Sequence, residues 1–269
     1  MKPYLKIALP LVAFAALFNA SCKKNDVAVN KKPAIDTALM AKSRDFVLNF
    51  NKSFQKSLTN TLENNSKTSN GVNTVRVFDA QNPCGSSVVK KTNYTNVING
   101  DIYSYVGNSV FTYLCNGAFN NGYNVDAYAL KDTLSVYGGG PESPNTEYTA
   151  FNYVVKAADT LYQTITISGS QAHKTTNIQI GFGINEKTEE YYKWQNVFAK
   201  RTDKNPVIVS GTIDFNISYA NYFMGKGDVG DLIGTMEYLP NDLIRVSIYK
   251  SGTVNQVYYI NRTTGKITQ

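Results

Sequence analysis

Apolar residues recur along this chain at two different periods, and the change of period divides it. Between Ala34 and about Asn64, Phe46, Phe50, Phe54, Leu58 and Leu62 return every fourth position. Ile35, Leu39 and Val47 lie beside the same stripe, and Lys42, Arg44, Lys52, Gln55 and Lys56 fall between. A four-residue return stacks side chains on one face of a helix. The spacing therefore predicts an amphipathic helix over residues 34–64 that buries its phenylalanine stripe against its own domain. Residues 65–73, rich in Asn, Ser, Thr and Gly, end it.

From there on the period is two. Ile213, Phe215, Ile217 and Tyr219 alternate with Thr212, Asp214, Asn216 and Ser218, as a half-buried strand requires. The same alternation runs through Ile178-Ile180-Phe182-Ile184, Leu161-Gln163-Ile165-Ile167 and Ile244-Val246-Ile248. Weaker strands are expected at 74–78, 101–106, 109–115, 124–137, 148–157, 232–238 and 254–261. Turn residues separate these runs: Asn99-Gly100, Gly107-Asn108, Asn121-Gly122, Gly138-Gly139-Gly140-Pro141, Pro240-Asn241-Asp242 and Ser251-Gly252. Connections this short cannot return a parallel strand, so the pairing is expected to be antiparallel. The fold class that follows is mainly β: one large curved antiparallel sheet or a two-layer β-sandwich, with the single N-terminal helix packed on it. Residues 186–204, containing Tyr191-Tyr192-Lys193-Trp194, break the alternation and read as a long excursion or a helical turn. No repeat of 20 to 50 residues is present, which argues against a solenoid or propeller.

The N-terminus carries a different kind of information. Lys2 and Lys6 precede an apolar run over residues 7–18, and Ala20-Ser21-Cys22 follows. The run falls short of the roughly 20 apolar residues that span a bilayer, and its basic start suits the apolar region of a signal peptide. These residues resemble the bacterial lipoprotein signal, and Lys23-Lys24-Asn25-Asp26 is similar to the polar start of Bacteroidota lipoproteins. The resemblance implies removal of residues 1–21 and lipidation of Cys22; residues 22–33 then read as a tether, and the alternating remainder as one β-rich domain over 34–269. Asn19 stands where the family favours Leu, which leaves ordinary cleavage with a free Cys22 as the alternative. Two or three acyl chains hold a protein firmly to a membrane, at about 0.8 kcal/mol per buried CH₂. Lys23, where inner-membrane retention in enteric bacteria uses Asp, implies the outer membrane; periplasmic and surface faces stay open.

Charge adds little beyond this. The net charge of +7 drops to +2, 21 basic residues against 19 acidic, once Lys2, Lys6, Lys23, Lys24, Lys31, Lys32 and Asp26 are set aside. No basic face is left in the body, which argues against nucleic-acid binding. With Cys22 taken by lipid, Cys84 and Cys115 form an even pair in a compartment where disulfides persist, and a structural disulfide is expected. The redox or metal alternative wants C-x-x-C spacing or nearby histidines, and the sequence has neither.

Candidate chemistry is sparse. His173, the only histidine, stands among Gln171, Lys174 and Thr175 and reads as a solvated residue at a hairpin tip. It has no nucleophile elbow, zinc-hydrolase pattern or phosphate loop for company. Glu142, Glu147, Glu186, Glu189, Glu190 and Glu237 could pair for glycoside hydrolysis, but spacing alone places no two of them together. Asp228 and Asp231 in the Gly-rich stretch 225–231 offer too few oxygen ligands for Ca²⁺, and Lys226 opposes them. No catalytic residue, metal or cofactor is assigned. Tyr191, Tyr192 and Trp194 are the candidate ligand-binding residues, with core filling as the competing reading. Asp36-Thr37-Ala38, Asp132-Thr133-Leu134 and Asp159-Thr160-Leu161 resemble the O-glycosylation acceptor of exported Bacteroidota proteins, which implicates Thr37, Thr133 and Thr160.

Three functional readings remain at this point. The leading one is a non-catalytic, lipid-anchored envelope protein with an interaction or structural role and an envelope protein as partner. The second is a carrier holding a hydrophobic ligand in the concave face of a curved sheet, an analogy with periplasmic lipoprotein carriers at the level of architecture. The third is a carbohydrate-binding surface lipoprotein that meets a glycan.

Overall fold

The computed structural model describes residues 36–64, 84–115, 125–159, 163–201 and 206–268. Among the described residues, helix α1 (Thr37–Asn64) precedes eleven strands. These are β1 (Ser87–Ile98), β2 (Asp101–Leu114), β3 (Ala127–Gly138), β4 (Asn145–Ala157), β5 (Thr164–Gln179) and β6 (Ile184–Arg201). They continue as β7 (Pro206–Phe223), β8 (Lys226–Leu239), β9 (Leu243–Lys250), β10 (Thr253–Asn261) and β11 (Ile267–Thr268). All eleven form one open antiparallel sheet, and their order across it is their order in the chain. At 18 residues, β6 and β7 are the longest strands, each spanning roughly 60 Å at about 3.3 Å per residue.

The hairpin chemistry is local. Three connections are two-residue turns with both central residues in the left-handed region: Asn99-Gly100, Met224-Gly225 and Ser251-Gly252. Turns of this hand match the twist of the flanking strands, so they close hairpins without splaying them. Gly107-Asn108 is no turn. It lies inside β2, where Gly107 pairs with both Thr92 and Leu134, and the strands expected on either side of it are one. Residues 180–184 are not strand throughout either. Ile180–Phe182 is a 3-10 turn closed by Gly183 at φ 62°, and it joins β5 to β6. The stretch read as an excursion is β6 itself, interrupted by a bulge at Asn196 (φ 51°) that shifts the register to both neighbours. One inserted residue flips the phase of alternation, so Tyr192 and Trp194 are buried before it and Val197 and Ala199 after it. The strand expected at 74–78 lies outside the described residues.

Asp36 starts α1 by accepting a hydrogen bond from the Leu39 amide on its side chain, at 2.9 Å. That contact satisfies one of the otherwise orphaned N–H groups of the first turn. The helix then lies on one face of the sheet. Lys42 pairs with Asp228 of β8, and Ser43 bonds the Tyr258 hydroxyl of β10. Phe46 meets Tyr219 of β7, and the Tyr238 hydroxyl of β8 donates to the Asn51 side chain at 3.1 Å. Phe50 stacks on Tyr192 of β6 at 4.1 Å, and Phe54 meets Trp194 at 4.7 Å. Phe50, Phe54 and Leu58 are buried, so the phenylalanine stripe supplies the core of the covered face.

Glycines make room for aromatic rings on both faces of the sheet, Tyr222 lying exposed on the outer one. Tyr103 faces Gly138, Tyr153 faces Gly169, Phe215 faces Gly234, Tyr219 faces Gly230 and Tyr222 faces Gly227, each pair in direct register. At every one of these glycines an added Cβ would lie within 2.6 Å of an atom of the partner residue or of nearby backbone. Cross-strand aromatic–glycine pairing uses the missing side chain as space for a ring. At the β1 end of the sheet, Cys84 and Cys115 are joined by a disulfide, 31 residues apart with Cα atoms 5.5 Å from each other.

Candidate functional site

Because strand register fixes which side chains share a face, the sheet presents two distinct surfaces. Tyr192, Phe215 and Ile248 point to the helix; Tyr191, Asn216, Ile233 and Tyr249 point away from it. The trio Tyr191, Tyr192 and Trp194 is thereby divided. Tyr191 is exposed on the outer face, whereas Tyr192 and Trp194 are each 2% exposed beneath α1, and the three do not form one platform. The physical reason is the two-residue period of the strand they share, which sends neighbours to opposite sides.

The outer face holds a groove of about 530 Å³ across β4 to β9. Its floor is low because Ala150, Ser170 and Ala172 of β4 and β5 carry little side chain. Tyr191 and Tyr249 line it together with Ile233, and the Tyr249 hydroxyl lies 3.3 Å from Thr235 Oγ1. The next row contributes Asn152, Lys193 and Asp214, with Lys193 and Asp214 as direct register partners. One positive and one negative side chain thus stand side by side in the same row. On its flank, Lys174 Nζ lies 3.2 Å from Glu189 and 5.4 Å from the centre of the Tyr191 ring. Lys187 and Lys174 together hold the Glu189 carboxyl below the usual carboxylate range.

A second polar cluster sits on the helix-covered face. His173 is not at a hairpin tip: it lies in the body of β5, paired with Thr149 and Glu190. Its Nδ1 is 3.2 Å from Glu190 and its Nε2 is 3.2 Å from Glu147. The Tyr192 hydroxyl donates to the other Glu190 oxygen at 2.5 Å. Bonding to Glu147 and then to Glu190 outweighs burial and pushes His173 up to about 9, so near neutral pH both ring nitrogens donate. The same contact holds Glu147 below the ordinary glutamate value, while burial drives Tyr192 well above the ordinary phenol. With both nitrogens engaged by carboxylates, this imidazole has no lone pair to offer as a general base. The cluster reads as a satisfied polar network in a partly dry environment.

Cys84 and Cys115 are bonded to each other. Thr37 is exposed at the first turn of α1, and Thr133 is exposed on the outer face in β3, its hydroxyl donating to the Asn108 carbonyl at 3.2 Å. Cys22, Thr160 and the tether 22–33 lie outside the described residues. Asp228 and Asp231 point to opposite faces, toward Lys42 and Ser218 respectively, so the turn around them gathers no cation site. Among the described residues no group of three His, Cys, Asp or Glu side chains is arranged to hold a metal ion, and no helix is long and apolar enough to cross a membrane. Sequence reasoning missed Lys193, Asp214, Asn216 and Tyr249 as groove residues. The outward phase of Asp214 and Asn216 is visible in their alternation, but bringing them beside Tyr249 requires the register of β8 between them. No family model, curated protein or solved structure matches the chain.

Proposed function

We propose that this protein is a lipid-anchored, non-catalytic binding protein of the bacterial cell envelope, held by acylated Cys22 and meeting its partner through the outer face of the sheet. The observation that carries the reading is the contrast between the two faces: α1 occupies the covered face along β6 to β10, and a lined groove stands open on the other. A carrier would need room between helix and sheet for an apolar ligand, and Phe50 and Phe54 fill that space with their own rings. The absence of catalysis is supported by His173, whose two nitrogens are both committed to glutamates. The anchor rests on the lipoprotein-like N-terminus and on a net charge too small to hold the body to an anionic surface. The protein sits in the outer membrane on this reading.

Metabolic labelling with an alkyne fatty acid in a Bacteroidota host, followed by membrane fractionation, tests it. Wild type incorporates label and sediments with the outer membrane; Cys22→Ala does neither and is released as soluble protein. Unlabelled wild-type protein, or a Cys22→Ala variant that stays in the membrane, would refute the anchor.

A further inference from the structure

We infer that the outer-face groove is a binding site for a neutral saccharide chain, with Tyr191 and Tyr249 as its apolar contacts. The inference rests on the outer face being the working surface, as proposed above, and is independent of the anchor.

Three features of the groove select this ligand class. The first is its wall chemistry. Tyrosine offers an apolar ring body and a polar tip, and a pyranose has the complementary character, an apolar patch of C–H groups edged by hydroxyls. The small floor residues Ala150 and Ala172 continue the outer-face row of Tyr191 through β4 and β5, which leaves space beside its ring at the depth of a sugar. The second is the polar complement. Asn152 and Asn216 each supply a donor and an acceptor, Lys193 donates and Asp214 accepts. Sugar hydroxyls donate and accept at the same oxygen, so they can use a mixed set of this kind. Most of the lining is apolar, from the tyrosine rings, Ile233 and the alanines, and the few polar groups suit a ligand that brings hydroxyls of its own.

The third feature is charge. Lys193 and Asp214, the charged residues of the lining, are cross-strand partners of opposite sign, so the lining itself carries no surplus of positive charge for a phosphate, sulfate or uronate. Its lining runs across β4 to β9, a span that suits a chain better than an isolated sugar. About 530 Å³ lies within the ordinary range for small-molecule sites. The groove spans six hydrogen-bonded strands of one sheet, whose pairing fixes the spacing of its groups before the ligand arrives.

Isothermal titration of the detergent-solubilised full-length protein tests the inference. The probes are maltohexaose, cellohexaose, mannohexaose and xylohexaose as neutral chains, with hexagalacturonate as the anionic one. At least one neutral hexasaccharide is expected to saturate with a Kd of about 1 mM or tighter. Tyr191→Ala and Tyr249→Ala should each weaken it about tenfold, the loss of roughly one aromatic contact. Tyr137→Ala, at an exposed outer-face tyrosine of β3 away from the groove, should bind as wild type. Thermal melting of each variant separates lost binding from lost folding. Silence across all four neutral probes, wild-type affinity in folded Tyr191→Ala, or tighter binding of hexagalacturonate than of every neutral chain would each overturn the inference. None of those results bears on the acylation of Cys22, which is tested separately.

Discussion

Phe215 and Gly234 face each other across β7 and β8, and the ring occupies the place a side chain at Gly234 would take: a Cβ there would sit 2.5 Å from Phe215 Cζ and 2.3 Å from the Ser247 carbonyl oxygen. The pair shows how this sheet accommodates large rings on its covered face. Space is made by deleting a neighbour, so the glycine is a packing residue there and not a hinge.

The five aromatic–glycine pairs should differ in tolerance. At Gly169 an added Cβ would meet the Asn152 carbonyl oxygen at 2.3 Å and the Tyr153 Cα at 2.6 Å, both backbone atoms of a central strand. At Gly230 its nearest contact is the hydroxyl end of Tyr219, which can swing aside. Gly169→Ala is therefore expected to cost about 2 to 3 kcal/mol or prevent folding, and Gly230→Ala less than about 1 kcal/mol. Urea denaturation of both variants decides it; equal losses would show that the ring, not the backbone, sets the limit.

Trp194 is the only tryptophan in the chain and lies under Phe54. Phe54→Ala should cost about 3 to 5 kcal/mol, as for other fully buried phenylalanines. Emission from Trp194 should shift to longer wavelength as water reaches the ring. An unchanged spectrum with unchanged stability would mean that α1 does not seat on β6 in solution. Asp36→Ala, which removes the cap, is a milder version of the same test, at about 1 kcal/mol.

Reduction of the Cys84–Cys115 bond frees 31 residues of separation in the unfolded chain. The chain-entropy model puts the loss near 3 to 4 kcal/mol. The denaturant midpoint should fall on adding dithiothreitol and stay put in the Cys84→Ala/Cys115→Ala double variant, which already lacks the cross-link. A wild-type midpoint insensitive to the reductant would show that the bond constrains little.

The single histidine makes its own titration easy to follow. His173 is raised from 6.5 to about 9, so its contribution is fully present below pH 6.5 and is lost as pH rises through about 9. Glu147 is lowered from 4.5, so its contribution is present above that value and is lost as pH falls through the depressed one. The cluster thus supports the fold best between about 4.5 and 6.5. The lone imidazole resonance in NMR should titrate near 9 in wild type and below 6.5 when Glu147→Gln and Glu190→Gln are combined, because burial then acts on it alone. His173→Gln should flatten the alkaline decline in stability. A wild-type imidazole titrating near 6.5 would refute the paired geometry.

What could be read from the sequence was whatever rested on an unbroken period. The four-residue return of Phe46, Phe50, Phe54 and Leu58 gave α1 to within a few residues, and Ile213 to Tyr219 gave the centre of β7. The antiparallel pairing followed from turn chemistry, with Asn99-Gly100 and Ser251-Gly252 both forming tight hairpins. The missed elements had a masked period. In β1, Val88 and Val89 are adjacent and both exposed, so no face repeats and the strand was not expected at all. In β6 the bulge at Asn196 reversed the phase, and Ile180 and Phe182 imitated alternation while lying exposed in a turn. The groove was harder still, because Tyr191 and Tyr249 lie 58 positions apart and fall in one row only when four strands are aligned.

The strictly consecutive order of the strands also sets a timetable. As the chain is released from its N-terminus, each strand can pair with the one just before it, and no partner is still waiting to be made. The helix is the exception: it comes out first, yet its seats on Tyr192, Trp194, Tyr219, Tyr238 and Tyr258 belong to β6, β7, β8 and β10. Phe50 and Phe54 therefore stay uncovered until Tyr192 and Trp194, about 140 positions further on, emerge, the interval in which a newborn chain is most prone to stick to its neighbours.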